Sequence, residues 1–140
     1  MRHIVREYKK ALPIRLLALK IVERAESKQW ARESRLIQEW VHNHIKYRKD
    51  INGVETLSTP DKTLEYGIGD CDDQSVLVAS LLESIGHPTR FVALSFIPGS
   101  YGHVFTETLI GNKWIAVETT ENVPFGWKPK NVLNFLRVHN

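Results

Sequence analysis

The chain has 140 residues and a formal net charge of +3, with 42% hydrophobic and 25% charged residues. These ordinary values predict one globular domain spanning residues 1–140. The only cysteine, Cys71, excludes an intramolecular disulfide and a four-thiolate zinc site, and favours a reducing compartment. The N-terminus does not resemble a secretory signal, and no apolar run approaches the roughly 18 residues of a membrane span. We therefore expect a cytoplasmic protein that does not bind membranes.

The basic residues are concentrated near the N-terminus. Residues 1–50 carry 13 Lys and Arg against 6 Asp and Glu, whereas residues 51–140 carry 6 against 10. A basic helical segment can contact nucleic acid or an acidic partner. Aromatic residues are not interleaved with the basic ones as single-strand binders prefer, however. Solvated faces of amphipathic helices are therefore the preferred interpretation, and nucleic-acid binding is the least favoured role.

Helices are predicted for the first third of the chain. Residues 2–11 are expected to form a helical turn or two, and a longer helix is expected to begin near Pro13. Its apolar stripe consists of Leu16, Leu17, Leu19, Lys20, Ile21, Val22 and Ala25. The three-to-four spacing over residues 36–45 predicts a second helix. Residues 50–69 lose this periodicity and are rich in turn-forming residues, which predicts a long loop.

The remainder predicts a central helix followed by an antiparallel sheet. The helix is expected over residues 71–85, ending at Gly86, with its apolar stripe at the core of the domain. Strands are predicted over residues 90–97, 103–110 and 113–118. Gly111-Asn112 is typical of a two-residue hairpin turn, and residues 132–138 are expected to form a short helix or strand. The fold class is therefore α+β, with N-terminal helices and a central helix packed on an antiparallel sheet.

The most informative residue is Cys71, in the sequence Gly-Asp-Cys-Asp-Asp-Gln at residues 69–74. At the first turn of a helix, unpaired N–H groups and the positive dipole end stabilise a thiolate, and the same groups can hold an oxyanion. Asp72 and Asp73 oppose formation of the thiolate, so activation needs a nearby imidazolium. Taken alone, Cys71 is more readily interpreted as a small buried apolar residue.

The predicted hairpin supplies that histidine. With a two-residue turn, Ile110 lies opposite Lys113, and His103 and Glu118 become diagonal neighbours on one face of the sheet. The rest of this face is apolar, so we expect it to pack on the helix that carries Cys71. Pairing would offset the cost of burying both groups and would fix the imidazole tautomer. The alternative is that His103 and Glu118 form a structural hydrogen bond and take no part in catalysis.

The other titratable residues are weaker candidates. Glu107 shares the face but lies roughly 13 Å along the strand from His103. His87 is expected on the surface, and the remaining histidines are expected to be solvated or structural. Asp70 is expected to cap the central helix. A metal site would need three or four converging ligands, so neither a metal nor another cofactor is predicted.

Together, the motifs between about residues 64 and 120 resemble the transglutaminase-like superfamily. They are Gly-Asp-Cys-Asp-Asp, Gly-His-Pro-Thr-Arg-Phe-Val, Gly-His-Val-Phe-Thr-Glu and Trp-Ile-Ala-Val-Glu-Thr-Thr. The resemblance implies a papain-like core with Cys71 as nucleophile, His103 as general base and acid, and Glu118 as orienting acid. The family usually has aspartate at the position of Glu118. Similar small members occur among phage morphogenesis proteins, which makes phage structural proteins candidate partners and a virion an alternative location.

The favoured function is a cysteine-dependent hydrolase or acyltransferase that acts, through a thioester, on amide bonds of peptides or glutamine side chains. Hydrolysis is favoured because no amine-binding site is identified. The candidate cleft walls are residues 50–69, 98–102 and 125–127, and the candidate substrate contacts are Tyr66, Tyr101 and Trp127. The alternative function is a non-catalytic binding or assembly module that retains the fold.

Overall fold

A computed structural model of the chain describes residues 1–49 and 57–140. The helices are α1 (Arg2–Tyr8), α2 (Leu12–Ile21), α3 (Trp30–His44), α4 (Pro60–Tyr66) and α5 (Cys71–Ser84). The strands are β1 (Lys46–Tyr47), β2 (Ile68–Gly69), β3 (Thr89–Ser95), β4 (His103–Ile110), β5 (Lys113–Val117) and β6 (Asn134–His139). This succession confirms the predicted α+β class. Within the described ranges, no helix is both long and apolar enough to cross a bilayer.

Helix α5 lies at the centre of the fold because its side chains are mostly apolar or small. Every residue from Asp73 to Leu82 is buried. On one side, α5 packs on α2 and α3 in a cluster that includes Ile14, Ala18, Ile37, Val41, Leu77 and Leu81. On the other side, Val76 and Ala79 pack with residues of the sheet. The central helix is therefore the core of the domain, as predicted.

The main sheet has four antiparallel strands in the order β5-β4-β3-β6. The β4–β5 hairpin has the predicted register, since Ile110 pairs with Lys113 and Thr106 pairs with Val117. Of the two structures expected for the C-terminal segment, the strand is confirmed, because β6 pairs with β3. Strand β6 forms one edge of the sheet, and most of its residues are exposed.

The prediction that the sheet face with His103 and Phe105 packs on α5 is wrong. The alternate residues of β4 face this helix, since the hydroxyl of Thr106 donates to the carbonyl of Ser75 at 2.9 Å. Phe105 lies on the opposite face, in a cluster with Val92, Leu94, Ala116 and Val132. His103 is the first residue of β4, so it nevertheless stands at the end of the sheet that meets the start of α5.

The predicted loop over residues 50–69 is also wrong where the structure describes it, because α4 and β2 lie between residues 60 and 69. Residues 50–56 lie outside the described residues. Pro60 occupies the first turn of α4, and Gly67 ends this helix in the left-handed conformation with φ 66°. Strand β2 follows and pairs in parallel with β1. A helix of seven residues is too short to produce a clear periodic pattern in the sequence.

Two expectations about exposure also differ from the structure. Leu16 of the predicted stripe is 56% exposed, because Ile14 and Ala18 are the residues of α2 that face the core. His87 is buried rather than on the surface, and its Nε2 lies 2.7 Å from Oε1 of Glu33. This contact joins α3 to the turn after α5.

Candidate active site

A capping box fixes the start of α5. The Oδ1 atom of Asp70 accepts a hydrogen bond from the N–H of Asp73 at 3.0 Å, and Oδ2 of Asp73 accepts one from the N–H of Asp70 at 3.2 Å. The remaining oxygen of Asp73 accepts from the N–H of Ser58 at 2.7 Å. The expected cap at Asp70 is confirmed. Cys71 is therefore the first residue of a well-anchored helix, where backbone N–H groups have no acceptor within the helix.

The two-stranded sheet brings Tyr47 to the same place. Tyr47 in β1 pairs with Gly69 in β2, and the N–H of Arg48 donates to the carbonyl of Gly69 at 3.1 Å. A Cβ on Gly69 would lie only 2.9 Å from the Cβ of Asp73, so the close approach to α5 requires glycine. Burial raises the pKa of Tyr47, and the adjacent thiol and carboxylates raise it further. A neutral phenol thus stands beside Cys71.

The hairpin brings His103 and Glu118 into direct contact. Nε2 of His103 lies 2.6 Å from Oε2 of Glu118, and the side chains are 18% and 2% exposed. The other oxygen, Oε1, accepts hydrogen bonds from the N–H of Thr119 at 3.1 Å and from the N–H and hydroxyl of Thr120 at 3.1 and 2.9 Å. The glutamate side chain therefore spans the distance from β5 to the imidazole while both of its oxygens are hydrogen-bonded.

Charge and hydrogen bonding favour an imidazolium at His103. Burial lowers the pKa of His103, but hydrogen bonds and negative charge from Cys71 and Glu118 outweigh it and raise the pKa to about 10. Burial raises the pKa of Glu118, but the bonds from His103 and Thr120 leave it below its ordinary value. Because Glu118 occupies Nε2, Nδ1 is the ring nitrogen that remains for the thiol.

Several residues for which the sequence predicted no role hold the segment after β5. Nε2 of Gln38 donates to the carbonyl of Glu118 at 2.9 Å, and the hydroxyl of Thr119 donates to Oε1 of Gln74 at 2.8 Å. Nδ1 of His42 lies 2.8 Å from the carbonyl of Thr119. Gln74 belongs to the cysteine motif and could have been selected from the sequence. Gln38 and His42 come from α3, and only the packing of that helix brings them here.

A cleft of about 370 Å³ opens at the thiol, and Cys71, His103 and Tyr47 contribute to its lining. Among the three predicted substrate contacts, Tyr101 lines this cleft. Tyr66, at the end of α4, is 67% exposed, and neither it nor Trp127 is part of the lining. The structure therefore places one predicted contact and one unpredicted tyrosine next to the candidate nucleophile.

Glu107, the weaker acid candidate, is engaged in a separate network. Nε of Arg90 donates to Oε1 of Glu107 at 2.7 Å, and Nζ of Lys128 lies 3.7 Å from Oε2. The guanidinium of Arg90 also lies 4.4 Å from the centroid of the Trp114 ring. Across residues 1–49 and 57–140, no three His, Cys, Asp or Glu side chains converge in a way that could hold a metal ion.

The transglutaminase-like superfamily model matches residues 15–119, which adds most of α2 and all of α3 to the motif-bearing region. The fold is similar to a candidate cysteine protease from Cytophaga hutchinsonii, with a TM-score of 0.66 and 21% identity over 91% of this chain. It is also similar to a candidate protease from Parabacteroides distasonis ATCC 8503, with a TM-score of 0.66 and 13% identity over 83%. This chain spans 43% and 25% of those two proteins. No curated protein matches the sequence significantly.

Proposed function

Because the chain belongs to the transglutaminase-like superfamily, we propose that it is a cysteine-dependent hydrolase or acyltransferase acting on amide bonds of peptides or glutamine side chains. One observation carries the proposal. The imidazole of His103 is hydrogen-bonded to buried Glu118 at 2.6 Å, and it lines the same cleft as the thiol of Cys71 at the start of α5. A nucleophile, a base and a group that orients the base are the elements of nucleophilic catalysis.

The first half of the proposed reaction forms a thioester. Transfer of the thiol proton to Nδ1 of His103 gives an ion pair of thiolate and imidazolium, and the Cys71 thiolate of this pair attacks the amide carbon. The N–H of Cys71 donates to the oxyanion. His103 then gives the proton to the leaving nitrogen, the C–N bond breaks, and an amine departs. Glu118 holds the imidazole in one orientation and stabilises its charged form.

The second half regenerates the thiol. Water attacks the thioester while His103 accepts a proton, and the acid is released with return of the proton to sulfur. A primary amine in place of water would give a new amide by the same steps. Hydrolysis is the favoured outcome, because Tyr47 and Tyr101 at the cleft are 46% and 52% exposed and leave the site open to water.

Alkylation of Cys71 by iodoacetamide tests the pairing of thiol and imidazole without a substrate. We expect rapid labelling of the wild type near pH 6, and a rate lower by about tenfold or more in His103→Gln. His87→Gln is a matched control, because His87 also contacts a glutamate, at 2.7 Å, but follows the opposite end of α5. Thermal unfolding verifies that each variant is folded. Equal labelling of all three proteins would contradict the proposal.

Turnover of a peptide mixture tests the chemistry itself. Release of new amino groups that Cys71→Ala abolishes would support hydrolysis, and Cys71-dependent incorporation of a fluorescent primary amine would support acyl transfer. A folded protein without either activity would instead support the alternative, a binding or assembly module such as a component of a phage particle. For that alternative, Cys71→Ala would leave assembly unchanged.

A further inference from the structure

We infer that the candidate active cleft continues into an apolar subsite, which binds a large uncharged side chain of a peptide substrate next to the reacting amide. The inference rests on the proposed function and adds a substrate class to it. The subsite is the groove between Tyr101 and the start of β6, with Leu133 in its lining and Leu136 beside it on β6, where it pairs with Ala93 of the cleft.

Two depressions of the surface meet at Tyr101. The first is the cleft of about 370 Å³ that contains Cys71 and His103. The second, of about 360 Å³, lies between residues 98–101 and the start of β6, and Leu133 is part of its lining. Because Tyr101 lines both, a peptide that leaves the first depression past this side chain enters the second. The groove therefore adjoins the cleft that holds the thiol, with Tyr101 between them.

The register of the sheet provides a second link between the depressions. Ala93 lines the first and pairs with Leu136 in β6, whereas Ser95 lines the second and pairs with Asn134. Directly paired side chains lie on the same face with Cβ atoms about 4.5–5.5 Å apart, and alternate residues of a strand share a face. All four residues thus belong to one face of the sheet, which extends from the cleft to the groove.

Three large, mainly apolar side chains on or beside this path are exposed. Tyr101, Leu133 and Leu136 are 52%, 59% and 52% exposed. Clustered apolar side chains on a surface mark a binding site more often than isolated ones do. The described lining of the groove consists of Ser, Pro, Gly, Tyr, Leu and Asn residues, so no charged side chain faces an occupant there. These contacts favour an uncharged side chain of the size of leucine or phenylalanine over lysine or glutamate.

Hydrogen bonds to β3 hold both walls of the groove in place. On one side, the N–H of Gly102 donates to the carbonyl of Leu94 at 2.9 Å, which anchors the segment that carries Tyr101. On the other side, the N–H of Leu133 donates to the carbonyl of Ser95 at 2.8 Å. Preformed apolar pockets with few polar groups are typical of ligand subsites. The groove can therefore select a side chain without first being ordered by it.

Peptide electrophiles that alkylate Cys71 and carry either Phe or Lys next to the reactive group test the subsite. We expect the Phe reagent to react at least about tenfold faster than the Lys reagent with the wild type. The double variant Leu133→Asn/Leu136→Asn should lose this ratio. Leu16→Asn is the matched control, since Leu16 is 56% exposed on α2 and should keep the wild-type ratio. The ratio of the two rates cancels any general change in thiol reactivity.

The outcomes separate the subsite from the proposed function. A wild-type ratio near one, or a ratio that the double variant retains, overturns the subsite even when iodoacetamide labelling depends on His103. Labelling that is independent of His103 overturns the proposed function instead. In that case, the subsite can still be tested by measuring the binding of fluorescent peptides with Phe or Lys to Cys71→Ala by anisotropy. Equal affinities for the two peptides would reject the subsite, and tighter binding of the Phe peptide would support it.

Discussion

The β4–β5 hairpin carries two buried glutamates on the same face of the sheet, and their partners differ. Glu118, just after β5, and Glu107, within β4, are each 2% exposed. Glu118 contacts the imidazole of His103 at 2.6 Å, and Glu107 contacts the guanidinium of Arg90 at 2.7 Å. One acid thus belongs to the candidate active site, and the other to a network that also includes Lys128.

The difference between the partners separates a chemical role from a structural one. Arginine stays charged at all pH values at which the protein is folded, so Arg90 keeps its charge beside Glu107 throughout. Unlike arginine, histidine can release its proton, so the pair of His103 and Glu118 can change its charge during a reaction. A buried carboxylate alone therefore does not identify a catalytic acid, because its partner decides what it can do.

The largest expected effect is a loss of activity, and only one of the two glutamate substitutions should cause it. Glu118→Gln should lower kcat/KM for peptide hydrolysis by about 10²–10⁴-fold, because an amide stabilises the imidazolium poorly. Glu107→Gln makes the same isosteric change and should leave kcat/KM close to the wild-type value. Steady-state kinetics on a peptide substrate measure both. A similar loss in the two variants would show that the hairpin acts as one structural unit rather than as two sites.

For stability, the substitution of Glu107 should have the larger effect and that of Glu118 the smaller one. Glu107→Gln should lower the free energy of unfolding by about 3 kcal/mol, because the charge of Arg90, whose side chain is only 13% exposed, loses its counter-ion. Glu118→Gln should lower it by about 1 kcal/mol, since His103 can lose its proton and the new amide oxygen can still accept from Thr119 and Thr120. Urea denaturation at pH 7 gives both values. A larger loss in Glu118→Gln than in Glu107→Gln would contradict this order.

The contact between His103 and Glu118 could be predicted because it depends on local rules. A two-residue turn at Gly111-Asn112 sets the register, and the alternation of strand side chains then places both residues on one face. The face of β4 that packs on α5 could not be predicted in this way. Both faces carry large apolar residues, Val104 on one and Phe105 on the other, so alternation does not distinguish them.

Other residues of the site come from distant parts of the chain, and a different reason explains why the sequence did not predict them. Tyr47 reaches the thiol through the pairing of two strands of two residues each, too short for a pattern in the sequence. Gln38 and His42 reach the segment after β5 only because α3 packs beside it. Such contacts depend on how whole elements dock, which residue spacing within one element does not specify.

The dependence of stability on pH should also distinguish the two pairs. The pKa of His103 is raised to about 10 in the folded protein, from about 6.5 in an unfolded chain. A raised pKa contributes stability that is fully present below pH 6.5 or so and is lost as the pH rises through 10 or so. We therefore expect the free energy of unfolding of the wild type to fall over this interval.

The two glutamine variants provide the controls for this pH dependence. Glu107→Gln should keep the wild-type slope, because it leaves the contact between His103 and Glu118 unchanged. Glu118→Gln should flatten the slope, because its amide no longer favours the imidazolium and the pKa of His103 falls towards the ordinary value. Urea denaturation at a series of pH values gives the slopes, and NMR titration of the imidazole gives the pKa. Equal slopes in the wild type and Glu118→Gln would mean that Glu118 does not hold the proton on His103. The two glutamates would then differ in their positions but not in their effect on a titrating partner.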